Sequence, residues 1–426
     1  MEIKVHRGLD QIGGCITEIS TSTSRVFIDF GKNLPGCGVE ISKDELSQLF
    51  ESNRKKHEAV FYSHIHEDHI GLFSYITNNI PQYIGEGAKF LYQLKLKLLL
   101  EGGNRSLQDA KTEEEQQQIK KNQEELKHKI EQFDCFKTWK RTEYGEKPRK
   151  IQIGDIQITP FFCCHSVYDS YMFLIEAGGE RIWHTGDFRE HGYMGKGLLP
   201  VLHKYATNID VLITEGTMLG RQDNCIHEVE VASRMTKVMK QYKYIFVLCS
   251  STDIERLASV KKATEWAKKS LYVDGAMSYG AMKLFTKREN KVSKGLFKFK
   301  PAYLDMSKSN WKDEGFALTI GVSHYEKVME IKNQLPEDEV VLIYSCWEGY
   351  CQIPEQIVLN PNYKNFYEAF KHKEIIHTSG HADSNTLKKV IETIRPKKQI
   401  IGIHKEAGAS LLDLDLSKEL RAKIKQ

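Results

Sequence analysis

No Cys-x-x-Cys pair occurs in this chain, and no apolar run approaches the ~20 residues of a membrane-spanning helix. The nine cysteines are odd in number and scattered, with Cys163 and Cys164 adjacent. That pattern speaks against a disulfide framework and for a reducing, cytoplasmic setting. The opening Met-Glu-Ile-Lys-Val-His-Arg-Gly lacks the apolar core of a signal peptide. Neither sign of charge dominates. The net charge of +4 does not by itself announce a nucleic-acid binder, although Lys and Arg could still line one groove. With 426 residues, 40% hydrophobic and 28% charged, the chain has the composition of a globular protein of two or three domains.

What is present is concentrated in residues 61–72, Phe-Tyr-Ser-His-Ile-His-Glu-Asp-His-Ile-Gly-Leu. Ala59 to Tyr62 reads as the end of a buried strand. His64 and His66 alternate, so on an extended backbone they point the same way. Asp68 and His69 follow where strand gives way to helix. Imidazole and carboxylate ligands this close can divide between two metal ions, and they suit zinc among divalent metals. A lone His-x-His could equally be a surface loop; the full His-x-His-x-Asp-His after an apolar strand is far more specific.

The rest of the chain alternates strand and helix patterns. Cys15–Ser20 and Arg25–Phe30 read as strands separated by a Ser/Thr turn, the second ending Val-Phe-Ile-Asp-Phe-Gly with Asp29 at the end of its apolar run. Residues 90–148 read as a helical insertion, with Ile119, Leu126, Ile130 and Phe133 on one face. It is expected to pack over one side of the active site, as a lid, a partner face or a solvated helix pair. Ile151–Ile153 and Ile156–Phe162 flank a Gly154-Asp155 turn and lead to His165. Arg181–Asp187 ends in His-Thr-Gly-Asp. Asp210–Glu215 is another apolar strand ending in an acid. Residues 216–374 then read as a parallel α/β domain. Its helices are expected at Val229–Lys240 and Asp253–Lys269, the latter capped by Ser250, Ser251 or Thr252. Its strands are expected at Tyr244–Cys249, Ser270–Val273 and Val340–Tyr344. Lys283–Lys300, basic and carrying Phe285, Phe297 and Phe299, could track a nucleic-acid strand or be a solvated loop with packed phenylalanines. A strand from Glu374, a helix Ser384–Arg395, the strand Gln399–Ile403 with His404, and a C-terminal helix close the chain.

These motifs resemble the metallo-β-lactamase superfamily, and the inserted domain with Glu215, His381 and His404 resembles its β-CASP branch. Within that branch Ser-Gly-His-Ala and Ile-His-Lys-Glu look most like ribonuclease J. The resemblance implies an αββα sandwich with an inserted β-CASP α/β domain. Residues 1–215 would form the first part of the sandwich, 216–374 the insertion, and 375–426 the return segment. It implies two zinc ions, with manganese or magnesium as alternatives. His64, His66 and His165 would hold one, Asp68, His69 and His404 the other, and Asp187 would bridge them. Asp29 would support the metal loop without ligating, and His184 would pack or orient. A hydroxide between the metals would attack phosphorus, and His381, kept basic by Glu215, would protonate the leaving oxygen. Asp68, Asp187, Glu215 and His381 are thus the expected catalytic residues. Ser379 and Gly380, and less directly Ser345, would contact a substrate phosphate.

Three departures mark the resemblance. The chain stops soon after His404, whereas ribonuclease J continues into a domain that helps it dimerise; a homodimer stays open. The insertion at 90–148 is long, and Lys405 stands where glycine is usual. The leading expectation is an RNA-directed phosphodiesterase, with exonuclease and endonuclease action both open. A two-zinc hydrolase of a small phosphorylated or ester substrate, and a non-catalytic RNA-processing scaffold, are the alternatives.

Overall fold

The computed structural model describes residues 1–77, 79–143, 145–221, 225–287, 293–308, 310–351 and 360–425. Its chain packs as two units. The first comprises Met1–Glu190, Gly195–Asp223 and His381–Gln426, and the second His191–Met194 and Asn224–Gly380. The domain cuts read from the sequence, after 215 and 374, fall several residues before these packing boundaries.

The first unit opens with β1 (Glu2–Arg7), β2 (Ile16–Ser20), β3 (Ser24–Ile28), α1 (Lys43–Glu51), β4 (His57–Phe61), α2 (Glu67–Ile70) and β5 (Gln82–Gly85). The helix pair α3 (Glu86–Asp109) and α4 (Glu113–Asp134) leads to β6 (Lys137–Trp139). These six strands form one sheet in sequence order, antiparallel from β1 to β3 and parallel from β3 to β6. Next come β7 (Ile151–Ile153), β8 (Ile156–Cys163), β9 (Ser170–Ala177), β10 (Glu180–His184), α5 (Leu198–Tyr205) and β11 (Val211–Glu215).

The second unit supplies α6 (Glu228–Met239), β12 (Tyr244–Leu248), α7 (Ile254–Ala267), β13 (Leu271–Val273), α8 (Ala276–Lys287), β14 (Phe316–Ile320), α9 (Tyr325–Lys332), β15 (Val340–Tyr344), α10 (Asn362–Ala369) and β16 (Lys373–Ile375). Its sheet runs β13-β14-β12-β15-β16, with every pairing parallel. Strands buried on both faces, such as Tyr-Ile-Phe-Val-Leu in β12, are what a parallel sheet between helices requires. The chain then returns to the first unit with α11 (Ser384–Ile394), β17 (Gln399–Ile403) and α12 (Lys418–Arg421), completing a second six-stranded sheet, β17-β11-β10-β9-β8-β7.

Side-chain alternation explains the layering of the first unit. Along β9, Tyr171, Phe173 and Ile175 enter one core, shared with Val26, Ile28 and Phe61 of the first sheet. The intervening Met172 and Leu174 enter another, shared with Leu198 and Leu202 of α5 and Leu387, Val390 and Ile391 of α11. Phe27, on the far face of β3, meets Phe50 of α1. The order is therefore helix, sheet, sheet, helix, the expected αββα sandwich.

Two expected details differ. The cap of α7 is Asp253, which accepts from the Glu255 and Arg256 amides; its carboxylate outcompetes the nearby hydroxyls. The expected C-terminal helix reduces to the single turn of α12. Phe285, Phe297 and Phe299 are buried, so the basic stretch packs its aromatics inward; residues 288–292 of it lie outside the described residues. Among the described residues, no helix is long and apolar enough to cross a membrane.

Candidate metal centre

Strands β8, β10, β11 and β17 run the same way, so their carboxyl ends meet at one edge of the second sheet. His165, Asp187, Glu215 and His404 stand at or just beyond those ends. From the first sheet, the turn after β4 brings His64, His66, Asp68 and His69 to the same place. Gly31 permits this approach, since a Cβ there would lie 1.7 Å from the Asp68 carbonyl oxygen.

The donor atoms converge in two groups. His64 Nε2 and His165 Nε2 each lie 3.1 Å from His66 Nδ1. Asp68 Oδ2 lies 3.1 Å from His404 Nε2 and 3.8 Å from His69 Nε2. Asp187 Oδ2 stands between, 3.1 Å from His69 Nε2, 3.6 Å from His404 Nε2, 3.8 Å from His165 Nε2 and 3.9 Å from His64 Nε2. Tetrahedral zinc with its usual bond lengths sets ligand nitrogens ~3.3 Å apart, close to the spacing within the first group.

The outer nitrogens are held by the protein. Asp29 Oδ2 takes His69 Nδ1 at 2.8 Å, and Asp29 also accepts from Ser63 N–H at 2.7 Å and Ser63 Oγ at 2.8 Å. The Ser63 hydroxyl lies 2.9 Å from His64 Nδ1. Thr217 Oγ1 lies 2.7 Å from His404 Nδ1 and 3.1 Å from the His404 carbonyl. If the hydroxyl donates to that carbonyl, it accepts from Nδ1–H, and Nε2 is left as an electron-pair donor. His69 Nε2 is buried with no well-formed hydrogen bond, although Asp187 Oδ2 is near. Such a buried nitrogen, backed by an anchored Nδ1 and facing two carboxylates, fits a metal ligand. Asp29 and His404 both take the left-handed backbone region, at φ 63° and 52°. For a non-glycine residue that is a strained conformation, of the kind that clusters at functional sites.

The charge states of the site are mixed: against burial, Asp187, Asp68 and Asp29 raise the His69 imidazole well above its ordinary value, so metal binding there would displace a proton. Burial pushes the His64 imidazole well down and takes His66 to about 4, so both are neutral near pH 7. Burial opposes ionisation of Asp187, but His404, His69 and His381 outweigh it and hold the carboxyl well below its ordinary value. Asp68 is likewise held low, against burial, by His69 and His404. Neutral imidazoles and ionised carboxylates are the forms that bind metal.

His381 and Glu215 form a pair beside this cluster. His381 Nδ1 lies 2.9 Å from Glu215 Oε2 and 3.7 Å from Asp187 Oδ2. Glu215 is fully buried, and its Oε1 accepts from the Phe188 and Ala382 amides at 2.9 and 3.4 Å. Burial works to lower the His381 pKa, but Glu215 and Asp187 raise it above the usual imidazole value.

The remaining expected residues are placed differently. Ser379 and Gly380 belong to the second unit, immediately before His381. Ser345, at the end of β15, is buried and donates its hydroxyl to Ile376 O at 2.6 Å. Its only O–H is thus spent inside the fold, which removes it as a phosphate contact. His184 is buried and accepts from the Gly186 amide at 3.1 Å. The root of α3 is tied to the metal loop: Tyr92 Oη and Lys95 Nζ both donate to Glu67 Oε1, at 3.0 and 2.6 Å. Thr217 and Ser63 were missed by sequence reasoning, because a lone hydroxyl beside a motif carries no signal of its own.

Comparison with known proteins follows the same lines. Residues 370–411, which contain His381 and His404, match the model of the Zn-dependent metallo-hydrolase RNA specificity domain. The chain is 24% identical to a ribonuclease J of Helicobacter pylori over 258 residues, 59% of this chain and 33% of that protein. It is 22% identical to ribonuclease J of Thermus thermophilus over 411 residues, 92% of this chain and 66% of that one. An RNase J-like protein of Methanocaldococcus jannaschii is 26% identical over 217 residues, covering 50% of this chain and 42% of its own. In fold, a protein of unknown function from Enterococcus faecalis matches with a TM-score of 0.66 at 17% identity, over 97% of this chain and 95% of that one.

Proposed function

We propose that the chain, which is similar to ribonuclease J and matches the Zn-dependent metallo-hydrolase RNA specificity domain over residues 370–411, is a β-CASP protein of the metallo-β-lactamase superfamily and a metal-dependent phosphodiesterase that hydrolyses RNA. The observation that carries this reading is the cluster of seven ligand-type side chains with a histidine–carboxylate pair beside it.

His64, His66 and His165 would hold one zinc ion, Asp68, His69 and His404 a second, and Asp187 would reach both. Bound there, two divalent ions would offset charge on a phosphoryl oxygen and lower the pKa of a water molecule. The protein's own contribution is order. Asp29, Ser63 and Thr217 hold the outer nitrogens of His69, His64 and His404, which orients the inner nitrogens that would ligate. Glu215 holds the His381 proton on Nδ1, so Nε2 is the nitrogen that exchanges a proton with the leaving oxygen. Imidazolium is the form that can donate, and the buried carboxylate favours it. Ser379 and Gly380, next to His381 in the chain, would offer hydroxyl and amide groups to a substrate phosphate.

The test uses an RNA with a 5′-monophosphate and a fluorescent 3′ end, beside the matching DNA, with metal-loaded protein and an Asp187→Ala control. RNA cleavage that needs metal and disappears in the control is expected, and the product ladder separates terminal from internal cutting. Bound metal with no cleavage of either nucleic acid would overturn the RNA reading and favour a small phosphorylated or ester substrate.

A further inference from the structure

Arg256, near the start of α7 in the second unit, is 2% exposed. A buried guanidinium is costly unless its donors are matched. Here Nε and Nη2 reach the Glu228 carboxylate at 3.0–3.3 Å, and Glu228 is itself fully buried. Ser259 Oγ also donates to Glu228 Oε2, at 2.5 Å. The remaining donors of Arg256 leave the ion pair. Nη1 donates to Ser345 O at 3.0 Å and Ser345 Oγ at 2.7 Å, and lies 3.2 Å from His377 Nδ1. Nη2 donates to Thr378 O at 3.1 Å.

These acceptors sit where the chain leaves neighbouring parallel strands. The path from β12 continues toward β13 on one side, while that from β15 continues toward β16 on the other. Ligands of open α/β sheets gather at such switch points, beyond the carboxyl ends of the strands. Arg256, on the helix that follows β12, joins the end of β15 to His377 and Thr378. The same segment has two further anchors. Ile226 N–H donates to Thr378 Oγ1 at 3.1 Å, and His191 Nε2 lies 2.7 Å from Ser379 O.

We propose that Arg256 is a positioning residue for the reaction. Its planar fork holds Thr378, Ser379 and Gly380, which run directly into His381, in the conformation that meets a substrate phosphate. This rests on the phosphodiesterase reading above. Ser345 serves the same end as a brace rather than as a contact. Lysine cannot replace this geometry, because an ammonium lacks the fork that spans Glu228, Ser345 and Thr378 at once.

The test compares wild type, Arg256→Lys and a charge-neutral pair, Arg256→Met with Glu228→Met, which avoids stranding a buried charge. Three quantities are read: metal content, RNA cleavage, and metal-dependent hydrolysis of bis(p-nitrophenyl) phosphate. The small diester has only its scissile phosphate, so it lacks the flanking phosphate that the held segment would meet, and its nitrophenolate leaves without a proton donor; that reaction does not need the segment. Loss of alignment is expected to cut kcat for RNA by about 100-fold. Metal content and hydrolysis of the small diester stay near wild type. Equal loss on both substrates, or loss of metal in both variants, would show a merely structural role and overturn the proposal. So would RNA cleavage at the wild-type rate in Arg256→Lys. A wild-type protein that hydrolyses the diester but not RNA would instead defeat the underlying reading, and this proposal with it.

Discussion

Asp29 makes no contact with the proposed bridging carboxylate, yet three of its hydrogen bonds shape the centre. It holds His69 and, through Ser63, the turn that carries His64. Asp29→Asn keeps the shape and removes the charge that orients His69. Metal affinity, measured against a competing chelator, is expected to fall about 10- to 100-fold; unchanged affinity would deny Asp29 this role. His381 gives a pH prediction. Its pKa is raised despite burial, chiefly by Glu215. Imidazolium therefore persists above its ordinary range, and cleavage falls as pH rises through the raised pKa. Glu215→Gln removes the largest raising charge, so the falling limb of the pH–rate profile moves to lower pH. A limb that stays put would contradict the pairing. At this scale the histidines and aspartates were legible because the chemistry demands those types at short spacing after apolar strands. Thr217 was not legible, since its role arises only where β11 and β17 lie side by side. Ser345 looked like a phosphate contact in a small-residue turn, and only its partners Ile376 and Arg256 show that its hydroxyl is occupied.

Among the elements, the α3–α4 pair is the one whose role composition left open. Its root is packed. Phe133 is fully buried, with ring centroids 4.5 Å from Phe136, 4.8 Å from Tyr92 and 5.5 Å from Phe73. Ile119, Leu126 and Ile130, expected on the same face, are only half-buried. Phe133→Ala is expected to cost about 3–5 kcal/mol by denaturant melting, and Leu126→Ala clearly less; equal costs would mean the pair packs along its whole length. The helix pair itself was visible from its periodicity. The tie from Tyr92 and Lys95 to Glu67 was not, because it joins side chains 25 and 28 residues apart. Strand β14 was passed over although Phe-Ala-Leu-Thr-Ile is apolar and flanked by Gly315 and Gly321. Five residues without alternation read equally as a buried strand or a fragment of something else.

Across the whole molecule, the proposed roles divide between the two units. Every proposed metal ligand, with Glu215 and His381, belongs to the first, while Ser379 and Gly380 belong to the second along with Arg256. The chain passes from one unit to the other between Gly380 and His381. The αββα order was expected from the resemblance that the ordered motifs carry, and β9, which feeds one core on each face, shows why the sandwich needs a layer on each side. The account separates holding metal from moving a proton, and His381→Ala tests that separation most directly. Metal content and RNA cleavage are measured on the same preparation, beside wild type. The account predicts metal content equal to wild type with turnover reduced by about 10²- to 10⁴-fold, the usual share of a general acid. Loss of metal from that variant, or cleavage at the wild-type rate, would contradict it.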